Sequence, residues 1–270
     1  MAVVGTLGFV GGGKMAEAIM AALVGSKTAE AGRIVVSDVS AERRAHLADS
    51  LGVAAVADNL SVLARAEVVF IAVKPQQLDE VTAELASTAG AGHLFISIAA
   101  GKRLAYFEQR LPAGRIVRVM PNIAALVGAS ANAFCLGTRC RAEDRETVRI
   151  LLSSFGQAVE LPETQFDAVT ALSGSGPAFV AHWVEAAVQG GVGMGLREAD
   201  ARSLAYQTLL GTARLLTEGK FTPEHLIAAV SSAKGTTVAG LEVLTKTTLA
   251  DDLRRTLAAA ANRSRELSGS

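Results

Sequence analysis

The chain of 270 residues is poor in the residues that mark several common functional classes. It has two cysteines, Cys135 and Cys140, too few for a disulfide framework and without the neighbouring ligands a metal centre needs. Both read as ordinary thiols of a reducing compartment. One tryptophan, Trp183, and two tyrosines, Tyr106 and Tyr206, leave few platforms for stacking bases. Basic and acidic side chains balance at 26 each, so no positive field points to nucleic acid or to an anionic membrane. Half of the residues are hydrophobic, yet no uninterrupted apolar run approaches the roughly 20 needed to cross a bilayer. No basic leader precedes the apolar residues Val3 to Leu7, so no signal peptide and a cytoplasmic location are expected. The four histidines, His46, His93, His182 and His225, are scattered, and no HExxH, paired-carboxylate or Ser-His-Asp pattern occurs. Such a chain leaves the hard chemistry to a cofactor and positions the substrate itself.

What is present begins at Gly8-Phe9-Val10-Gly11-Gly12-Gly13-Lys14-Met15-Ala16. An apolar strand runs into a glycine turn and then into a helix, with Gly11-x-Gly13-x-x-Ala16 in the dinucleotide-binding pattern. One glycine makes the turn, the next lets backbone approach a pyrophosphate, and the small residue at 16 lets helix and strand pack closely. The helix start then offers free N–H groups and a positive dipole end to the phosphates.

Apolar runs and helical stretches alternate through the first 160 or so residues. Strands are expected at Leu7–Val10, Ile34–Ser37, Val68–Val73, Leu94–Ile98, Ile116–Val119, Ala131–Leu136 and Ala158–Glu160, with helices at Met15–Ser26 and Ala41–Leu51. That alternation predicts an α/β fold with a mostly parallel sheet. Near Pro162 the strand pattern stops. Helices are expected from Ala178, over Arg197–Glu218, Pro223–Val230, Thr236–Thr245 and Asp251–Leu267. The boundary is placed at 161/162, with an all-helical second domain over residues 162–270. Ala178–Val188 is apolar on most faces, which calls for burial on more than one side and hence a partner subunit. His182 on that helix is expected in a core or an interface.

Open α/β sheets bind ligands at the C-terminal ends of their strands. Ser37-Asp38 ends the second strand, and a carboxylate there favours the free ribose hydroxyls of NAD. Arg43 and Arg44 stand nearby and suit the 2′-phosphate of NADP, so NADP or NAD stays open. Asn59 either caps the helix at 60–66 or meets the adenosine end. Ala72-Val73-Lys74-Pro75 ends a central strand beside the cofactor. Two further clusters, Ala171–Ala178 with Ser175, and Val230–Gly240 with Ser232, Gly235, Thr236 and Thr237, gather donors at helix starts suited to a carboxylate.

Together these segments resemble the pyrroline-5-carboxylate reductase family. The resemblance is carried by GFVGGGKMAEAI, AVKPQ at 72–76, RVMPN at 118–122, ALSGSGPAF at 171–179, GTTVAGLEVL at 235–244 and NRSREL at 262–267. It implies an N-terminal Rossmann dinucleotide-binding domain followed by an all-helical dimerisation domain. The implied reaction is reduction of 1-pyrroline-5-carboxylate to L-proline with NAD(P)H, in a homodimer joined through the helical domains or a ring of such dimers. By the same resemblance Gly11, Gly13, Lys14 and Met15 meet the pyrophosphate, and Ser37 and Asn59 the adenosine end. Ala72, Val73, Lys74, Pro75 and Asn122 line the nicotinamide side. Ser232, Gly235, Thr236 and Thr237 hold the substrate, Thr237 at the ring nitrogen. The chain departs from the family pattern at Ile123-Ala124, Ala233-Lys234 and Lys220. A reductase of a related imino acid and a non-catalytic dinucleotide-binding regulator are the alternatives.

Overall fold

The computed structural model describes residues 5–269. The apolar residues Val3 and Val4, ahead of the first strand, lie outside the described residues. The chain divides into two compact units: one runs to Ser175 and includes Ala260 onward, the other spans Gly176–Ala259.

The first unit is built on an eight-stranded sheet in the order β3-β2-β1-β4-β5-β6-β7-β8. Strand β1 (Leu7–Val10), β2 (Ile34–Ser37), β3 (Ala54–Val56), β4 (Val68–Ile71) and β5 (Leu94–Ser97) are parallel, as is β6 (Arg115–Met120) on β5. Strand β7 (Ser130–Leu136) turns antiparallel to β6, and β8 (Gly156–Glu160) pairs parallel with β7. Helices α1 (Lys14–Gly25), α2 (Ala41–Leu51), α3 (Leu60–Leu63), α4 (Leu78–Ala86), α5 (Leu104–Arg110) and α6 (Ala142–Ser153) connect them. Every residue of β1, β2 and β5 is buried, because helices cover both faces, so these strands read as continuous apolar runs rather than alternating ones. Phe9 and Phe70, paired across β1 and β4, stack with ring centroids 4.6 Å apart. Strand β3 escaped the sequence reading because Ala54–Val56 is a short, part-exposed edge with no apolar pattern. Strand β4 ends at Ile71, two residues earlier than expected, and releases Ala72–Pro75 to the site.

Strand β8 is the last strand, so the pattern does change near Pro162. The compact unit nevertheless continues through α7 (Phe166–Val169) and a π-helical turn over Thr170–Gly174. The returning end of the final helix belongs here too: the Ser264 hydroxyl donates to Asp167 at 2.6 Å.

The second unit holds α8 (Gly176–Gly193), α9 (Glu198–Thr217), α10 (Pro223–Val230), α11 (Thr236–Leu244) and the start of α12 (Leu249–Ser268). Thr222 caps α10, with Pro223 at its first turn. Helices α8 and α9 approach closely: a Cβ on Gly191 would lie 3.2 Å from the Cβ of Ala201. Little else is covered in the single chain. On α8 only Val184, Val188 and Gly191 are buried, while Val180 and Trp183 are exposed. His182 is exposed in the single chain as well, which removes the core placement expected of it and leaves the interface one.

Gly156 opens β8 with φ 152°, and a Cβ there would fall 2.0 Å from the Ser130 carbonyl oxygen. Gly156→Ala is expected to destabilise the fold by about 3 kcal/mol through backbone strain and overpacking. The same change at Gly92, where a Cβ meets nothing within 4 Å, should stay within about 0.5 kcal/mol. Denaturant midpoints of the two variants check this.

Burial pushes the Cys135 thiol up to about 12 and the Cys140 thiol to about 11. An unfolded thiol ionises near pH 8.5, so above that pH the unfolded chain releases protons that the native chain keeps. Stability should therefore fall as pH rises from about 9 towards 11. Below pH 8, native chains should react slowly with a thiol reagent and denatured chains should expose both thiols at once.

Candidate functional site

The glycine turn sits where three strand ends meet. The Gly11 N–H donates to the Ser37 carbonyl at 3.0 Å, and the Ala72 N–H to the Val10 carbonyl at 2.8 Å. Gly11 has φ 95°, and a Cβ on it would lie 2.9 Å from Val73 Cγ1 and 3.0 Å from the Ala72 carbonyl. Conformation and space both demand glycine there. Gly12 is wedged against α2, where a Cβ would meet Leu47 Cδ1 at 2.6 Å. Gly13 differs: a Cβ on it meets nothing within 4 Å, and it precedes a twelve-residue helix that no side chain caps. Open space in front of uncapped N–H groups at the positive end of α1 is what an anionic pyrophosphate requires.

Two cavities flank this point, both within the first unit. One of about 180 Å³ is lined by Gly11, Gly13, Ser37, Asp38, Asn59 and Lys74, among others. The other, about 580 Å³, is lined by Gly13, Lys14, Met15, Ala72 to Pro75 and Asn122, together with Ile98, Ala99, Ala100, Met120, Pro121, Ile123 and Gly174. The structure thus gathers around one glycine turn the positions expected to bind the cofactor. The first cavity suits an adenosine end and the second a nicotinamide end. No site role was expected for the wall residues at 98–100 and 120–121. The rule that ligands sit at strand C-termini was the signal that reaches them.

Polar groups fix the walls. The buried Ser37 hydroxyl donates to the Asn59 side-chain oxygen at 2.6 Å, and the Asn59 amide donates to Glu84 at 2.6 Å. Asn59 therefore does not cap α3. Asp58 does so by accepting from the Ser61 N–H at 2.8 Å. Asn122 uses its whole side chain: its oxygen accepts from the Ala124 N–H at 3.1 Å, and its amide donates to the Ser173 carbonyl at 3.1 Å. Ala124 matters here because its N–H is the donor, which a proline at that position would lack.

Asp38 reaches back to the glycine turn. One carboxylate oxygen accepts from the Gly12 N–H at 3.0 Å and the other from the Ser40 N–H at 2.9 Å. Arg43 donates to the Gly12 carbonyl and to Glu17, and Arg44 to the carbonyls of Asp38 and Val39. Hydrogen bonding to Arg43, with His46 adding to it, holds the Glu17 carboxyl below the usual carboxylate range. None of these links was visible in sequence.

The cluster at 171–178 does hold a helix start, since α8 begins at Gly176, but a π turn over Thr170–Gly174 comes before it. The chain enters it from α7 through the π turn, with the Ser175 N–H on the Thr170 carbonyl at 2.8 Å and the Ser173 hydroxyl on the Val169 carbonyl at 3.0 Å. Of the donors expected there, the Ser173 hydroxyl serves the preceding turn instead. In the second unit, Gly235 precedes α11 without a side-chain cap, and its N–H donates to the Ser232 carbonyl at 2.9 Å. Lys234 holds φ 57°, a left-handed conformation uncommon outside glycine.

Gly13→Ala separates binding from folding. The substitution should cost at most about 1 kcal/mol of stability as a poorer helix cap. It should weaken dinucleotide affinity at least about tenfold, or ~1.4 kcal/mol, because the methyl occupies the space before α1. Parallel melting and cofactor titration read the two effects.

Two family models match the chain, one in each half. Residues 163–267 match the family model for pyrroline-5-carboxylate reductase dimerisation, and residues 6–101 match that of NADP oxidoreductase, coenzyme F420-dependent. The chain is 41% identical over 261 residues to a pyrroline-5-carboxylate reductase of a Synechocystis species, covering 97% of each protein. It is 39% identical to that of Arabidopsis thaliana, over 98% of this chain and 96% of the relative. Among solved structures, a pyrroline-5-carboxylate reductase from Coxiella burnetii superposes with a TM-score of 0.94 at 32% identity, over 98% of this chain and 99% of that one. A pyrroline carboxylate reductase from Plasmodium falciparum with NADP bound shares the fold, with a TM-score of 0.87 at 24% identity over 99% of this chain and all of that one. With its glycine turn, its two cavities and relatives matched along nearly their whole length, the chain belongs to the pyrroline-5-carboxylate reductase family.

Proposed function

We infer that the chain reduces the C=N bond of 1-pyrroline-5-carboxylate to L-proline, using a reduced nicotinamide dinucleotide. The observation that carries this reading is the open, uncapped N-terminus of α1 between two cavities, with Gly11 locked against β4 by its φ and by contact. The bound dinucleotide supplies the hydride. The protein's task is to orient the imine carbon within roughly 3–3.5 Å of it and to stabilise the ring nitrogen as it gains its proton.

Lys14 and Met15 place their backbone at the pyrophosphate, while Ser37 and Asn59 order the adenosine side. Ala72, Val73, Lys74, Pro75 and Asn122 shape the nicotinamide wall. The substrate is assigned to Ser232, Gly235, Thr236 and Thr237, with Ser175 as a further hydroxyl. Local geometry supports a clamp there: a Cβ on Gly235 would lie 2.3 Å from Ser232 Oγ, so only glycine keeps that hydroxyl over the start of α11. The uncapped N–H groups of α11 suit a carboxylate. Thr237 at the ring nitrogen orients the imine rather than acting as a strong acid, since an ordinary hydroxyl is not one.

The working form is a homodimer through the helical unit, located in the cytoplasm. Exposed apolar side chains along that unit, among them Trp183, Leu204, Leu210, Val230 and Val243, support a covering partner. No helix among the described residues is long and apolar enough to cross a membrane.

Purified chain should oxidise one reduced nicotinamide per proline formed when given 1-pyrroline-5-carboxylate. Cofactor binding without proline would redirect the search to related cyclic imines. Thr237→Val should lower kcat/KM by about 10²-fold while leaving the dinucleotide affinity unchanged. Equal losses in both would remove Thr237 from the substrate site.

A further inference from the structure

The dinucleotide reading leaves one chemical choice undecided: whether the adenosine ribose carries a free 2′-hydroxyl or a 2′-phosphate. We propose that this chain selects the unphosphorylated cofactor, NADH, and that the Asp38 carboxylate makes the selection. The proposal rests on the reading of the two cavities as a dinucleotide site.

Asp38 follows the last residue of β2 and lines the adenosine-side cavity with Ser37 and Asn59. It is not a loose surface acid. Its two oxygens are fixed by the N–H groups of Gly12 and Ser40, at 3.0 and 2.9 Å, so its charge stays beside the glycine turn. A carboxylate has about four acceptor sites, and these two bonds leave room for ribose hydroxyls to donate. A 2′-phosphate has no such donors near neutral pH and carries a charge of about −1.5 to −2. Placed against the same carboxylate, it meets repulsion and no hydrogen bond.

The cations that could reverse this are committed elsewhere. Arg43 is spent on the Gly12 carbonyl and on Glu17, whose carboxylate offsets its charge. Arg44 donates to the carbonyls of Asp38 and Val39. Neither arginine lines either cavity. Lys74 does line the adenosine-side cavity, but it follows β4 and borders the nicotinamide side as well. Strand β1 lies between β2 and β4, so the strand that delivers Lys74 runs two strand spacings, roughly 9–10 Å, from the one that delivers Asp38. Lys74 serves the bridging phosphates better than the 2′ position.

The test is direct binding, without any imine. The full chain is titrated with NADH and with NADPH, following nicotinamide fluorescence. NADH should bind at least tenfold more tightly. Asp38→Asn and Asp38→Ser should each shrink that ratio tenfold or more by gaining NADPH affinity, whereas Arg44→Ala should leave the ratio unchanged. On the unmodified chain, which needs no variant to fold, 5′-AMP should displace NADH at least tenfold better than adenosine 2′,5′-bisphosphate. Equal or tighter binding of NADPH overturns the proposal and leaves the dinucleotide site standing. So does a parallel loss of both affinities in the Asp38 variants, which would make Asp38 a prop for the glycine turn alone. A selective loss of NADPH binding in Arg44→Ala would give the reading of the 2′ position to the arginine. Failure to bind either nucleotide overturns the site and the proposal together.

Discussion

The contact on which this structure depends is the meeting of Gly11 with the ends of three parallel strands. Its N–H closes onto β2 at Ser37, and its missing side chain admits Ala72 and Val73 as they leave β4. Only a residue without Cβ, at φ 95°, meets both demands. Once that joint is made, α1 must start where it does, with its positive end over open space. The two cavities then follow from sheet order. Strands β2 and β4 flank β1, so the segments that leave them form the two walls.

Around the joint, polar contacts convert a common strand–turn–helix unit into a particular site. Asp38 and Arg43 hold Gly12 from its two sides, one at the N–H and one at the carbonyl. Ser37, Asn59 and Glu84 form a chain of hydrogen bonds behind the adenosine wall. Asn122 ties the end of β6 to the π turn at 170–174. A binding site made from pinned backbone and spent side chains loses little order when a ligand arrives, which favours affinity. The helical unit follows a different logic. It covers few of its own apolar side chains and matches a dimerisation family model, so its surface is suited to a partner.

Much of the first unit was legible in sequence because buried parallel strands and a glycine turn leave strong local marks. Strands Leu7–Val10 and Ile34–Ser37 and helix Ala41–Leu51 fall at the residues expected, as does Pro223–Val230 in the second unit. The edge strand at 54–56 was not legible, since two alanines and a valine carry no pattern. The helix start at Gly176 was legible in Ser-Gly-Ser-Gly-Pro, but the π turn ahead of it was not, since the Ser173 hydroxyl serves a carbonyl four residues back. Arg43 and Arg44 looked free for a phosphate, as any basic pair on a helix does. Only tertiary contacts showed them bonded to the glycine turn and to the backbone after β2. Long-range pairing of this kind has no local signature. For the same reason the link from Asp38 to Gly12, 26 residues apart, could not be read in advance.

The account's central claim is direct hydride transfer from a dinucleotide seated on this glycine turn to an imine carbon. Isotope transfer tests it most directly. The chain is supplied with 1-pyrroline-5-carboxylate and reduced nicotinamide carrying deuterium at the transferable position, and the proline formed is analysed by mass and by NMR. The account predicts one deuterium per proline, placed on the ring carbon that had been doubly bonded to nitrogen, with the nitrogen proton drawn from solvent. Unlabelled proline, or labelled cofactor consumed without proline, would contradict it.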